Sequence, residues 1–367
     1  MTTRKLIRLK FGRSMAHFGE LGIGMEESNE RLHSDTLYSA WFSAYAQLAG
    51  GKAIAALMDE FNKQPEPPFR LSSTFIYRYI DGSYIDYLPK PAQFPTGYPI
   101  GEDFEFAKAY KALQYLPRSV WQRWYQEGGF DTVADTAELL AYTKKQAQGT
   151  LAEAGTFSYY LAFQTHKVPR ASLDRRTQAA NLYHTGFVQY DWKYREQDEV
   201  SSQRHQSIDS LAGLYFLVDF SERSSVTPDS FVEVMGFLGE EGIGGERSSG
   251  AGQFEIEVSD LPAEWEMLLD FEAGNAHSLV SLFWQNPISR SMVQSARYEL
   301  RERGGWITSP SAGGQQMRRK ALQMFMEGSI FPVRPVGALA DVTPKGFTRH
   351  PIYRSGISFS LPIHVSL

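Results

Sequence analysis

Apolar and polar positions alternate near both ends of the chain and take helical spacing in several stretches between. Ile7, Leu9 and Phe11 alternate with Arg8 and Lys10, which predicts a strand over 4–11 with one buried face. Leu37, Ala40, Trp41, Ala44, Tyr45 and Leu48 recur at helical spacing, with Ser34 as N-cap and Asp35 favouring the helix dipole. Gly50 and Gly51 end that helix, and 52–62 makes a second one, stopped by Pro65, Pro67 and Pro68. Strands over 71–79 and 83–88 flank Asp81-Gly82, a hairpin signal. Asp103 caps a helix carrying Phe106, Ala107, Tyr110 and Leu113. One more strand, near 157–163, completes a βαββαβ order, the ferredoxin-like arrangement, with 118–147 as a helical addition.

The polar stretch 164–207 predicts a protruding hairpin whose tip has too little apolar surface to pack. Lys167, Arg170, Arg175 and Arg176 cluster there, opposed by Asp174 alone. A second unit is expected to start at 208: a strand over 211–220, a helix over 228–238 entered after Thr227, a glycine-rich loop over 239–252, and a strand with Phe254, Ile256 and Val258 facing inward. Further strands are expected at 278–284, at 298–303 and 306–309 around Gly304-Gly305, and at the alternating 357–365. The division is therefore 1–207 and 208–367, strand, helix and strands in both halves, without a repeat in sequence.

The glycine loop holds the densest candidate chemistry. Gly242, Gly244, Gly245, Gly250 and Gly252 surround Glu246, Arg247, Ser248 and Ser249. Glycine permits positive φ and close approach of a ligand to backbone N–H groups, so such a loop can cradle phosphate. It is not a Walker A loop: Ala251 and Gly252 stand where lysine and a hydroxyl residue are required. It is not a dinucleotide loop either, because Arg247 takes the third glycine position and the loop runs into a strand. A plain connection without ligand accounts for the glycines equally well.

Composition narrows the function classes. The chain has 367 residues, 42% hydrophobic, no cysteine and a formal net charge of −5. Thiol nucleophiles, disulfides and thiolate metal sites are excluded. The mild acidity does not announce a nucleic-acid binder, so any such surface is local. No signal peptide precedes the first strand and no apolar run reaches membrane-spanning length, which predicts a soluble, cytoplasmic protein. His166, His184 and His205 lack ligand spacing, so no metal and no cofactor are expected.

Five stretches fall in one order: HFGELGIG after the first strand, SDTLYSAW opening the first helix, GIGGERSSGAGQFEIE, MEGSIF, and HPIYRSGISFSLPI at the end. Together they resemble the fourth-named subunit of the Csm complex, the type III-A CRISPR effector, within the RAMP superfamily. The resemblance spans nearly the whole chain, 128–156 being its least familiar part. It implies an α+β protein of two ferredoxin-like (RRM-like) domains with a β-hairpin thumb. It implies a non-catalytic subunit that holds the 5′ handle of the guide RNA, between the large polymerase-palm subunit and the repeated backbone subunits. The residues offer matching candidates: Gly244, Gly245, Arg247, Ser248, Ser249 and Gly250 for phosphates, and the loop of His17, Phe18 and Gly19 with a ring to stack on a base. Arg175 and Arg176 on the hairpin, and Arg349, Tyr353 and Arg354 before the last strand, complete the set. The alternative is a RAMP-type endoribonuclease using His17 as general acid or base; no partner at fixed spacing supports it.

Overall fold

The computed structural model describes residues 3–19, 26–64, 66–101, 104–174, 176–177, 179–194, 208–307 and 317–366. Along the chain come β1 (Thr3–Lys10), α1 (Ser34–Lys63), β2 (Phe69–Leu71), β3 (Phe75–Ile80), β4 (Ser83–Pro89), α2 (Phe104–Ala112), β5 (Tyr115–Pro117), α3 (Arg118–Tyr125), α4 (Ala134–Thr143) and α5 (Thr150–Glu153). The hairpin β6 (Phe163–Leu173) and β7 (Ala180–Tyr190) follows, then β8 (Trp192–Tyr194), β9 (Ile208–Phe220), α6 (Pro228–Glu241) and β10 (Glu255–Asp260). The remainder holds α7 (Ala263–Leu269), β11 (Ala276–Leu279), α8 (Arg290–Gln294), β12 (Leu300–Arg303), β13 (Leu322–Phe325), β14 (Ile330–Phe331), β15 (Leu339–Asp341), β16 (Tyr353–Ser355) and β17 (Ser360–Ile363).

The main sheet runs β10-β1-β9-β3-β4-β5, antiparallel throughout, with β2 and β8 also paired to β9. Taking β1, α1, β3, β9, α6 and β10 as a βαββαβ unit, the order β10-β1-β9-β3 is the 4-1-3-2 order of a ferredoxin-like sheet. The closing members differ from those the sequence suggested. The expected strand near 157–163 is a 3-10 turn over Tyr159–Ala162 leading into β6. The third strand is β9, and the second helix and fourth strand are α6 and β10. The expected division at 207/208 thus falls just ahead of a strand paired to both β1 and β3. Residues beyond β10 form short antiparallel groups, β14-β11-β17, β12-β13 and β15-β16. β12 pairs with β13 rather than across Gly304-Gly305, and Trp306 bridges Arg318.

Register explains the two cores. Ile7 lies opposite Phe216 and Val258, and Leu9 opposite Leu214 and Ile256. That face packs on α1 and α6, where Trp41 stacks on Phe231 at 5.0 Å and 13°. The reverse face presents Leu6, Tyr77, Tyr215 and Leu217 to Trp121, Trp265 and the closing strand's Leu361 and Ile363. Both faces are therefore covered. Bases cannot stack on an open sheet here as they do on an RRM, and nucleic-acid contacts fall to loops and edges. Ser34 is the first helical residue, not the cap; its Oγ accepts from the Leu282 N–H at 3.0 Å and ties α1 to the C-terminal part. Gly50 (φ 83°) breaks the helical path, so the two expected helices meet there. Among the described residues no helix is long and apolar enough to cross a membrane.

Candidate nucleic-acid interface

α6 is entered through a Thr227 cap and leaves at Gly242, whose φ of 82° turns the chain into the glycine loop. The loop then folds on the segment that follows β1. The Gly245 N–H donates to the His17 carbonyl at 2.9 Å, and the Gly252 N–H to the Met15 carbonyl at 2.8 Å. Gly244 has φ 95°, and a Cβ there would lie 2.4 Å from the His17 carbonyl oxygen. A Cβ on Gly245 would lie 2.6 Å from the His17 ring. These two glycines are fixed by protein packing. The bare amides expected of the loop are in part occupied: Gly250 also donates, to Arg247 O at 2.9 Å.

What the loop presents outward is its tip. Glu246 sits in the left-handed region (φ 57°, ψ 21°), an uncommon state for a non-glycine residue. It starts a single 3-10 turn over Arg247–Ser249, closed by Gly250 at φ 85°. Arg247, Ser248, Ser249 and Gly250 are all exposed. The Ser249 Oγ donates to the Glu246 carbonyl at 2.8 Å, while a Cβ on Gly250 would meet open space.

The thumb hairpin roots against the same place. Ala16 pairs with Val188 of β7 through two backbone hydrogen bonds. The His17 Nδ1 lies 2.7 Å from the Gly186 carbonyl; a carbonyl only accepts, so Nδ1 carries the proton and donates. Arg170 of β6 reaches Glu246 at 4.0 Å and lies over the Phe187 ring. The structure thus joins three separate stretches, 15–19, 170–187 and 242–252, around one corner. Arg170 and the Gly186–Phe187 pair were not chosen from sequence as site residues. The basic cluster around Arg170 was the available signal.

Several candidates are repositioned. Phe18 is a core residue, 3% exposed and edge-on to Phe11 at 6.2 Å, so its ring cannot stack on a base. His17 is 8% exposed and acts as a brace between the loop and the thumb. Gly19 is exposed beside the His17 ring. Arg354 is buried, pairing with Asp35 and donating to the Gly304 carbonyl at 2.5 Å, so its guanidinium faces the interior and not a strand of RNA. Arg349 is exposed, and Tyr353 half-buried on β16. Arg176 is exposed in the hairpin turn, its N–H on Asp174 Oδ1 at 2.7 Å. Arg175 lies outside the described residues. Among the described residues no cluster of three or more histidine or acidic side chains could hold a metal ion.

Comparison with known proteins now bears on this geometry. The family model described as the CRISPR Csm4 C-terminal domain matches residues 272–363. "CRISPR system Cms protein Csm4" of Mycobacterium tuberculosis (strain CDC 1551 / Oshkosh) is 25% identical over 368 residues, covering 99% of this chain and 97% of that protein. The proteins of the same name from Methanocaldococcus jannaschii and Thermococcus onnurineus are 25% and 27% identical, each over 90% of this chain and over 86% and 91% of their own length. The chain is similar to Csm4 proteins over nearly its whole length. Its fold matches a chain of a Csm3–Csm4 subcomplex from a type III-A CRISPR–Cas interference complex with a TM-score of 0.59, 18% identity, and 98% and 99% of the two chains covered. A chain of a Csm1–Csm4 cassette bound to cA4 superposes with a TM-score of 0.52, at 17% identity and 99% coverage of both chains. The mixed helix-and-sheet architecture of the protein is therefore similar to that of these two chains.

Proposed function

We propose that the protein is the non-catalytic subunit of a type III-A CRISPR ribonucleoprotein that holds the 5′ handle of the guide RNA. It joins the large palm-domain subunit to the repeated backbone subunits, as the Csm1 and Csm3 partners of its structural relatives suggest. The observation that carries the reading is the corner where the tip Arg247–Ser249 stands exposed beside the thumb root. Arg247 supplies a charge-assisted donor and Ser248 an exposed hydroxyl, a set that suits phosphates of a single strand. Backbone amides behind them, those of Gly245, Ser249 and Gly250 among them, are spent on shaping the tip, so recognition rests mainly on the side chains. His17 does not serve as a general base in this reading: its ring is nearly enclosed, and it braces the loop against the thumb.

The test is co-expression of the tagged chain with the large and backbone subunits and a guide-encoding array. The purified complex is expected to carry a small RNA with one constant 5′ end. A complex whose RNA has heterogeneous 5′ ends, or none, contradicts the assignment.

A further inference from the structure

At the opposite end of β1 from the glycine loop, about 25 Å away along eight strand residues, four arginines converge on a cavity of about 520 Å³. Two are spent. Arg70 donates to the carbonyls of Val336 and Ser358 at 3.1 and 3.0 Å and pairs with Glu66 at 2.6 Å. Arg4 pairs with Asp270 at 2.8 Å, and its Nε faces Asp219 Oδ1 at 3.8 Å with a hydrogen bond on neither atom. Arg223 and Arg334 remain. Both are exposed, and among the described residues neither guanidinium makes a hydrogen bond or ion pair.

We infer that this cavity receives a carboxylate from an acidic segment of a protein partner. The planar guanidinium fork matches a carboxylate bidentately, and two unspent forks serve one such group. A strand of phosphates is the poorer fit. It needs a row of cations along its path, whereas Arg4 and Arg70 are already paired with Asp270 and Glu66 and only two guanidiniums remain. The position at the far end of the sheet lets a protein dock here without competing for the glycine loop.

This inference rests on the reading of the chain as a complex subunit, and the experiment separates the two. The tagged chain is purified with its co-expressed partners as wild type, as R223E/R334E and as R223K/R334K. Affinity of the isolated chain for handle RNA and a melting curve are measured for each. Both side chains are exposed, so the variants are expected to melt like the parent. R223E/R334E is expected to lose one protein subunit at least tenfold while the isolated chain binds RNA unchanged. R223K/R334K, which keeps charge without the fork, is expected to fall between. An unaltered subunit composition overturns the inference. So does a tenfold loss of RNA affinity by the isolated variant, which would make the cavity an RNA site. Calorimetric binding of inorganic phosphate, abolished by R223E/R334E with composition unchanged, would make it a free-oxyanion site and also overturns the inference. A wild-type chain that captures no protein partner overturns this inference and the subunit reading together.

Discussion

Asp35→Ala should be among the most damaging single substitutions on the polar side of α1. The carboxylate is fully buried at the helix start and takes a two-pronged contact from Arg303, at 3.0 and 3.1 Å, and another from Arg354. Arg303 and Arg354 lie on β12 and β16, so Asp35 ties the ferredoxin-like unit to the C-terminal strands. Its removal takes from two buried guanidiniums the carboxylate they share. Breaking a buried ion pair from one side costs about 3–5 kcal/mol, a large share of the roughly 5–15 kcal/mol a folded protein has. At a few degrees per kcal/mol, the melting temperature should fall by about 10 °C. Arg354→Ala should cost less, because Arg303 still neutralises Asp35, and it should leave RNA affinity unchanged. Thermal melts and RNA titrations of both variants decide the matter. A shift below about 1 kcal/mol for Asp35→Ala, the size of an exposed pair, would refute the buried-network reasoning. Loss of RNA affinity in Arg354→Ala at parental stability would return that residue to the interface.

Acid should act on the same networks. Burial pushes the Asp35 carboxyl up, but Arg303 and Arg354 outweigh it and hold the group below the ordinary aspartate range. Burial likewise opposes, and Arg31 and His33 outweigh, in holding Glu327 far below the ordinary glutamate range. Both contributions are in full force above about pH 4 and are lost as pH falls below it, so urea midpoints should drop steadily on acidification below pH 4 in the parent and less in Glu327→Gln. Gly244→Ala should destabilise more than Gly250→Ala: both incur left-handed strain of about 1–2 kcal/mol, but only Gly244 places its new methyl against the His17 carbonyl. Paired melting curves test this, and equal losses would contradict it. The purified chain should leave repeat-containing RNA intact with and without magnesium; discrete products lost in His17→Ala would establish an RNA-cutting activity instead.

Local patterns were legible in the sequence where one stretch decides the outcome. The alternation of Ile7, Leu9 and Phe11 predicts β1, and Asp81-Gly82 adopts the positive φ values, 48° and 84°, of its expected hairpin turn. The long hairpin was visible as polar sequence between apolar units. Pairing across long separations was not legible. β9 reads as the first strand of a new unit, because nothing local says it lies between β1 and β3. The site shows the same limit. Glycine density pointed to 239–252, but which glycines serve packing depends on His17, more than 220 residues away in sequence. Phe18 looked available because it sits in a glycine-rich loop; its partner Phe11 and the surrounding core enclose it. Arg354 looked like surface charge because its counter-ion, Asp35, lies at the far end of the chain.

The central claim is that exposed Arg247 holds a phosphate of the guide handle. The direct measurement is the affinity of the chain for a handle RNA at several salt concentrations, parent against Arg247→Ala. One charge-assisted bond is worth roughly 1.5–3 kcal/mol, so affinity should fall about tenfold or more, and the salt slope should flatten by about one unit. The melting curve should not move, since the side chain is exposed. If Arg247→Ala binds handle RNA like the parent at every salt concentration, the glycine loop is a turn and the handle is held elsewhere.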